Sequence, residues 1–310
     1  MISAAPILIA GPTASGKSAL AVSLARHLDG VVINADSQQI YAEWRILSAR
    51  PSAEEEATAP HRLYGHVSVA EAYSVGHWLR ALEEVLTEVR ANAQTPIIVG
   101  GTGLYFKALT EGLAPIPQIP AQVRSAGEAA LERDGLDAFA DALSARDPDT
   151  AAELDLANPR RVLRAWEVLE ATGIGLAGWK ARTPAPLVPL ASCLALALTP
   201  DRTDLYARCD ARFDAMMDAG ALDEVRAVDA LGVPPDMPGL KAVGAVPLRA
   251  CLAGEIALDE AIARAKTDTR HYAKRQLTWI RNQMSTWSRV SSADPAQVIE
   301  WLAADRVGTA

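Results

Sequence analysis

Residues 11–18 read Gly-Pro-Thr-Ala-Ser-Gly-Lys-Ser, which fits the P-loop pattern. Gly11 and Gly16 free the backbone to curl, so the loop's N–H groups, those of Thr13, Ala14 and Ser15 among them, turn inward around a phosphate. A helix beginning near Lys17 adds its positive end to the same point. Lys17 brings a mobile cation, and the Ser18 hydroxyl is a ligand for Mg²⁺. The chemistry is the holding of a di- or triphosphate. The motif leaves open whether the phosphates belong to a nucleoside triphosphate such as ATP or to another diphosphate.

A second candidate lies at Asp36, where the apolar run Val-Val-Ile-Asn-Ala closes. A carboxylate at the C-terminal edge of a parallel strand beside a P-loop stands in the crevice where α/β proteins bind ligands. It is either a general base next to substrate or a helix cap or outer magnesium ligand. The glycines of Val-Gly-Gly-Thr-Gly-Leu-Tyr, residues 99–105, allow close backbone approach by a flat or charged ligand. Three widely spaced cysteines, with no CxxC, read as reduced thiols, and His61 and His66 as loop residues rather than metal ligands. The net charge of −8 argues mildly against nucleic acid as a partner, yet residues 264–289 carry seven Lys/Arg against one acid, Asp268.

These residues need elements to hold them. Pro-Ile-Leu-Ile-Ala before Gly11 is strand-length, and residues 18–28 have helical spacing, the context a P-loop requires. A helix from Ser74 to about Asn92 precedes the strand Thr-Pro-Ile-Ile-Val, and Ser52 with Glu55 makes a capping box. The alternation predicts an α/β fold, a P-loop-type parallel sheet core flanked by helices. Between two proline-rich stretches the pattern becomes helix after helix. An inserted all-helical domain is expected over 114–189, with the core divided into 1–113 and 190–310. Thr199 and Pro200 are expected at the N-cap and N1 of a helix reaching Gly220, and an amphipathic helix over about 258–282. On that helix Lys266, Arg270, Lys274 and Arg281 form a stripe, and Arg160, Arg161 and Arg164 cluster in the insertion. The N-terminus lacks a basic leader region and no apolar run is long enough to span a membrane, so a cytoplasmic protein with no membrane partner is expected.

Six stretches in order carry a resemblance: the P-loop, Asp-Ser-Gln-Gln-Ile-Tyr from Asp36, residues 99–105, and the runs beginning at Asn158, Ala207 and Thr269. Together they resemble the tRNA dimethylallyltransferases, also called tRNA isopentenyltransferases. The resemblance implies transfer of a dimethylallyl group from dimethylallyl diphosphate to N6 of adenosine 37, 3′ of the anticodon, in tRNAs reading codons that start with U. The P-loop then holds the leaving diphosphate with Mg²⁺ as cofactor, and no ATP is hydrolysed. Asp36 matches the family's base, Arg212 its active-site arginine, and Thr102 a position on the target nucleotide. Arg208, four residues before Arg212, shares its helix face, and the two either face the diphosphate or form ordinary salt bridges with Asp204 or Asp201. The tRNA anticodon arm is implied to meet Ser37, Gln38 and Gln39 beside Asp36 and Thr102. Arg124, Arg160, Arg161, Arg164, Lys241 and Lys274 are implied to meet it too. A monomer is expected.

This chain also departs from that pattern. After Tyr41 it runs Ala-Glu-Trp-Arg-Ile-Leu-Ser-Ala-Arg, with Leu47 where a glycine, Ser48 where a threonine and Arg50 where a lysine is usual. Residues 243–248, Val-Gly-Ala-Val-Pro-Leu, lack an aromatic and a cation. A small-molecule or nucleoside kinase, or a prenyltransferase of free adenosine phosphates, would use the same cradle.

Overall fold

The computed structural model describes residues 5–299. The first four residues, part of the segment read as lacking a leader, and residues 300–310, assigned above to the second part of the core, lie outside it. Two compact units are present. One joins the chain up to Thr110 with the chain from Leu187 onward, and the other is Glu111–Pro186.

The first unit is built on six parallel strands: β1 (Ile7–Ala10), β2 (Gly30–Asn34), β3 (His61–Arg62), β4 (Thr95–Gly100), β5 (Leu194–Leu198) and β6 (Ser288–Val290). Their order is β3-β2-β4-β1-β5-β6. The inner strands β1, β2 and β4 are buried along their whole length, which is why they read as unbroken apolar runs. Successive side chains point to opposite faces. Ile7 and Ile9 pack with Leu20, Leu24 and Val99, and Leu8 with Ile98, Trp78 and Phe106. Helix α1 (Lys17–Leu28) covers the first face, and α3 (Val75–Ala91) and α4 (Gly103–Glu111) the second; α2 is the short Ala53–Thr58. Ser52 and Ser74 both close capping boxes, with Glu55 and His77.

The second unit is helical: α5 (Ala121–Arg146), α6 (Pro148–Glu153), α7 (Pro159–Thr172) and α8 (Leu176–Lys180). Phe139, Leu143, Val162 and Ala165 form its core. Asp147 and Asn158 cap α6 and α7, each with proline just inside the helix. Helix α5 breaks at Gly135, whose φ is 77°.

Back in the first unit, α9 (Arg202–Asp218), α10 (Ala221–Asp229), α11 (Ala245–Leu252) and α12 (Leu258–Gln283) pack with residues 40–47 around Trp44, Phe213 and Leu248. The start expected for α9 is corrected. Its cap is Asp201, whose Oδ1 accepts from the N–H groups of Thr203 and Asp204 at 2.7 and 3.2 Å. Thr199 instead extends the sheet, its N–H donating to Val290 O at 2.9 Å. Strands β3 and β6, two and three residues long, are too short to leave a periodic signal. Among the described residues no helix is long and apolar enough to cross a membrane.

Sheet order is what makes the site. The strands that end in the three motifs, β2, β4 and β1, are consecutive neighbours, all parallel. Residues 36–39, 101–103 and 11–18 therefore emerge side by side at one edge, where ligands of open α/β sheets bind.

Candidate active site

The phosphate cradle follows β1. Gly11 N–H bonds Gly100 O of the neighbouring strand at 3.2 Å, and the loop then curls, with Ala14 and Gly16 at φ 60° and 86°. Gly16 leads into α1, so that helix aims its free N–H groups into a pocket lined by residues 14–19 and, from α9, by Arg208 and Arg212. Two of the N–H groups expected to face a phosphate have protein partners instead: Thr13 N–H donates to Gln276 Oε1 at 2.8 Å and Ser15 N–H to Pro12 O at 3.3 Å. Ser15 is buried, and its hydroxyl has no hydrogen-bond partner among the described residues. An orphaned polar atom of this kind in a phosphate loop fits an oxyanion acceptor. Lys17 is buried, its Nζ donating to Pro12 O at 3.2 Å. Burial drives its pKa down to about 8; Asp36 opposes that shift and Arg212 adds to it. Ser18 opens the same pocket at the head of α1.

Asp36 stands two residues beyond β2, 5% exposed. Asn34 positions it. The Asn34 Oδ1 accepts from Asp36 N–H at 2.8 Å, while its Nδ2 donates to Asp36 O and Leu63 O, both at 3.0 Å. One carboxylate oxygen, Oδ1, accepts from Gln38 N–H at 3.0 Å. The other faces Gly101, where a Cβ would stand 2.9 Å from Oδ2. Thr102, on the same glycine turn, accepts from Ser37 N–H at 2.8 Å and lies 3.1 Å from Ser37 Oγ. Burial, helped by Asp36, holds the phenol of Tyr272 on α12 well above its usual range.

Asp36 and Arg212 line one pocket together with Thr13 and Gln38, and Leu47, Phe213, Met216 and Val243 give it an apolar wall. Arg212 joins this pocket to the phosphate cradle, since it lines both and donates to Thr13 Oγ1. Arg208 is exposed, on the cradle side. The free thiol of Cys209 lies buried between them, and burial raises its pKa.

The divergent segment 42–51 is tightly held. Both oxygens of Glu224 are engaged: Oε1 accepts from the N–H groups of Arg45 and Ile46 at 2.6 and 2.7 Å, and Oε2 from Leu47 at 2.9 Å. Leu47 keeps negative φ and packs in the core, and the strained residue is Ala49, at φ 50°. Gln39 is buried and spends its amide hydrogens on Ser48 O and Ala49 O, at 3.1 and 2.7 Å. It braces this loop. Gln38 accepts from Val243 N–H at 3.2 Å, tying the motif after β2 to the segment 241–246.

The cations divide into paired and exposed. On α12, Lys266 pairs with Asp214 and Arg270 with Asp210, each at 2.6 Å, so the first half of the expected basic stripe is neutralised by α9. Lys274 and Lys241 are exposed. In the helical unit, Arg124 and Arg164 flank the buried Glu167 at 3.8 and 3.3 Å, while Arg160 and Arg161 are exposed at the start of α7. The apolar wall, Tyr272, Gln276 and Glu224 went unread in the sequence. For Tyr272 and Gln276 the four-residue spacing on a predicted helix was the available signal.

Comparison with known proteins agrees with this geometry. The family model described as IPP transferase matches residues 39–283, and one described as isopentenyl transferase matches residues 5–72. A tRNA dimethylallyltransferase of Cereibacter sphaeroides is 56% identical over 285 residues, 92% of this chain and 88% of that one. A protein of the same name from Bradyrhizobium sp. is 52% identical over 297 residues, 96% of each. Among solved structures, the tRNA isopentenylpyrophosphate transferase of Bacillus halodurans superposes with a TM-score of 0.70 at 32% identity, covering 98% of this chain and 96% of that one. A eukaryotic dimethylallyltransferase acting on tRNA gives 0.80 at 26% identity, covering 98% of this chain and 78% of that one. A phosphate cradle opening onto a carboxylate and an apolar wall, with relatives this similar across nearly the whole chain, places the protein in the IPP transferase family, the tRNA dimethylallyltransferases.

Proposed function

We propose that the protein transfers the dimethylallyl group of dimethylallyl diphosphate to N6 of the adenosine 3′ of the anticodon, in tRNAs reading codons that start with U. The observation that carries the reading is the joining of two pockets through Arg212 and Thr13. One is a cradle of backbone N–H groups with Lys17, the other holds Asp36 beside an apolar wall.

The N6 lone pair forms a bond to the allylic carbon as that carbon's bond to the diphosphate oxygen breaks. Diphosphate leaves with the bonding electrons, and the N6 proton passes to the Asp36 carboxylate. The charge that develops on the leaving oxygen is met by the α1 N-terminus, Lys17 and the two α9 arginines. Leu47, Phe213, Met216 and Val243 suit the five-carbon chain and keep water from the allylic centre. The adenine must leave the anticodon-loop stack to reach Asp36.

Magnesium fits the donor set: Ser18 offers one hydroxyl in the cradle, and among the described residues no cluster of His, Cys, Asp or Glu could hold a metal. That suits an ion bound through substrate phosphates and its own waters. Ser18 would hold it, and it would supply charge neutralisation on the diphosphate.

The test is a transfer assay with Mg²⁺, unmodified tRNA carrying adenosines after the anticodon, and either dimethylallyl diphosphate or ATP, with nucleosides analysed by mass. A five-carbon adduct on adenosine with the prenyl donor alone supports the reading. Absence of adduct with ATP consumed supports a kinase instead.

A further inference from the structure

We infer that Gln276 is a positioning residue that sets the diphosphate cradle against the glycine turn packed on Asp36. Its side chain is 6% exposed on α12 and spans two loops that come from different strands. Thr13 N–H of the phosphate loop donates to Gln276 Oε1 at 2.8 Å, and Gln276 Nε2 donates to Gly101 O at 3.0 Å. A Cβ on Gly101 would stand 2.0 Å from Nε2, so the turn rests directly on the carboxamide. Its neighbours on the helix do related work. Tyr272 lines the Asp36 pocket, and Trp279 lies 2.1 Å from where a Cβ on Gly103 would stand. Residues 272, 276 and 279, four and three apart, lie on one helix face, and the last two pack on turn residues 101 and 103.

The sheet aligns the two loops as far as the bond from Gly11 N–H to Gly100 O. Gln276 carries that alignment past the strand ends, to Thr13 and Gly101. A carboxamide suits the place because it presents an acceptor to an N–H and a donor to a C=O at once. A carboxylate would set an oxygen against Gly101 O, and an aliphatic chain would leave both partly buried backbone groups without this partner.

The proposal rests on the prenyl-transfer reading. In that reaction the leaving group is held by one of these loops, and the proton acceptor Asp36 packs on the other. A displacement of about 1 Å between reacting groups costs about 100-fold in rate. Gln276→Leu is therefore expected to lower kcat by about 30- to 100-fold. Its Kd for tRNA and for an unreactive thio analogue of the prenyl diphosphate should stay within about threefold of wild type.

Gln276→Glu adds a readout that loss of stability does not mimic. A protonated carboxyl restores both donor and acceptor, and burial raises its pKa. Its kcat relative to wild type should climb at least about fivefold as pH falls from about 8.5 to 6. A flat ratio, or Kd values worsening in step with kcat in Gln276→Leu, overturns the proposal. If Gln276→Leu does not fold, the pH profile of Gln276→Glu decides alone. Wild-type protein that transfers no prenyl group removes the underlying reading and this inference with it. Wild-type transfer matched within about twofold by Gln276→Leu removes the inference only.

Discussion

Lys17 couples ligand affinity to pH in a direction that can be worked out from its surroundings. It is 7% exposed, and burial lowers its pKa from 10.5 to about 8 against the opposing pull of Asp36. A prenyl diphosphate in the cradle supplies the counter-charge that burial took away, so the bound complex holds the Lys17 proton more tightly than the free protein does. With a free pKa near 8 and a bound one restored to about 10.5, Kd should rise about tenfold between pH 7 and 9. The unreactive thio analogue suits the measurement, since its phosphates are fully ionised through that range. Calorimetry in two buffers of different ionisation heat should find uptake of nearly one proton per ligand at about pH 9 and almost none at about pH 6.5.

Stability moves the other way. The folded pKa lies below the unfolded one, so from about pH 8 to 10.5 the unfolded chain binds more protons and this group's contribution to stability rises with pH. The cost of charging the buried lysine, about 3 kcal/mol, is fully present below pH 8. Unliganded protein should thus lose that cost above pH 8 while the ligand-induced gain in Tm shrinks. Lys17→Met should bind weakly with a flat pH profile. A pH-independent Kd in wild type, or the same slope in Lys17→Met, refutes the reasoning.

Three further outcomes follow from the site. Asp36→Asn keeps the shape and removes the proton acceptor, so single-turnover transfer should slow by about 100- to 10,000-fold with tRNA affinity nearly unchanged; equal loss of both would count against the base role. Glu224→Ala strands the N–H groups of Arg45, Ile46 and Leu47, and urea unfolding should register a loss of about 2–4 kcal/mol. Arg160→Ala with Arg161→Ala removes two exposed cations, so tRNA affinity should fall and its log–log salt slope flatten by about 1.5 to 2, with binding of the prenyl diphosphate analogue untouched.

What the sequence disclosed followed from how local each feature is. The P-loop, the buried strands, the capping box at Ser52 and the helix start at Ser74 are written in residues next to one another, and their elements formed where spacing put them. Asp36 and Thr102 were legible as loop residues, because glycines and a strand end frame them. The order of strands was not. Nothing in residues 1–110 says that β4 inserts between β1 and β2, and that insertion is what brings the three motif loops to one edge. The misplaced start of α9 has the same origin: Thr199 reads as a cap until β6, some ninety residues on, claims its N–H for the sheet.

The basic stripe of α12 shows the limit most directly. Counting charges made Lys266 and Arg270 look available to RNA, but their partners Asp214 and Asp210 lie more than fifty residues earlier on α9. Partly exposed pairs of this kind hold little energy, about 1 kcal/mol, yet they redirect what a basic surface is for. On α12 Lys274 and Arg281 are exposed, as is Lys241 in the segment after residue 240. Net acidity and tRNA binding are then compatible, because a few exposed cations do not need a basic protein behind them. The same reasoning applies to Glu224, Gln38 and Gln276. Each is an unremarkable polar residue in its own stretch and joins two loops only after folding. The divergent segment 42–51 is the instructive case. It departs from the family's letters at Leu47 and Arg50, yet three backbone bonds to one carboxylate on α10 hold it against the pocket. A loop held that way can change its side chains, and with them the wall of the Asp36 pocket, without losing its place.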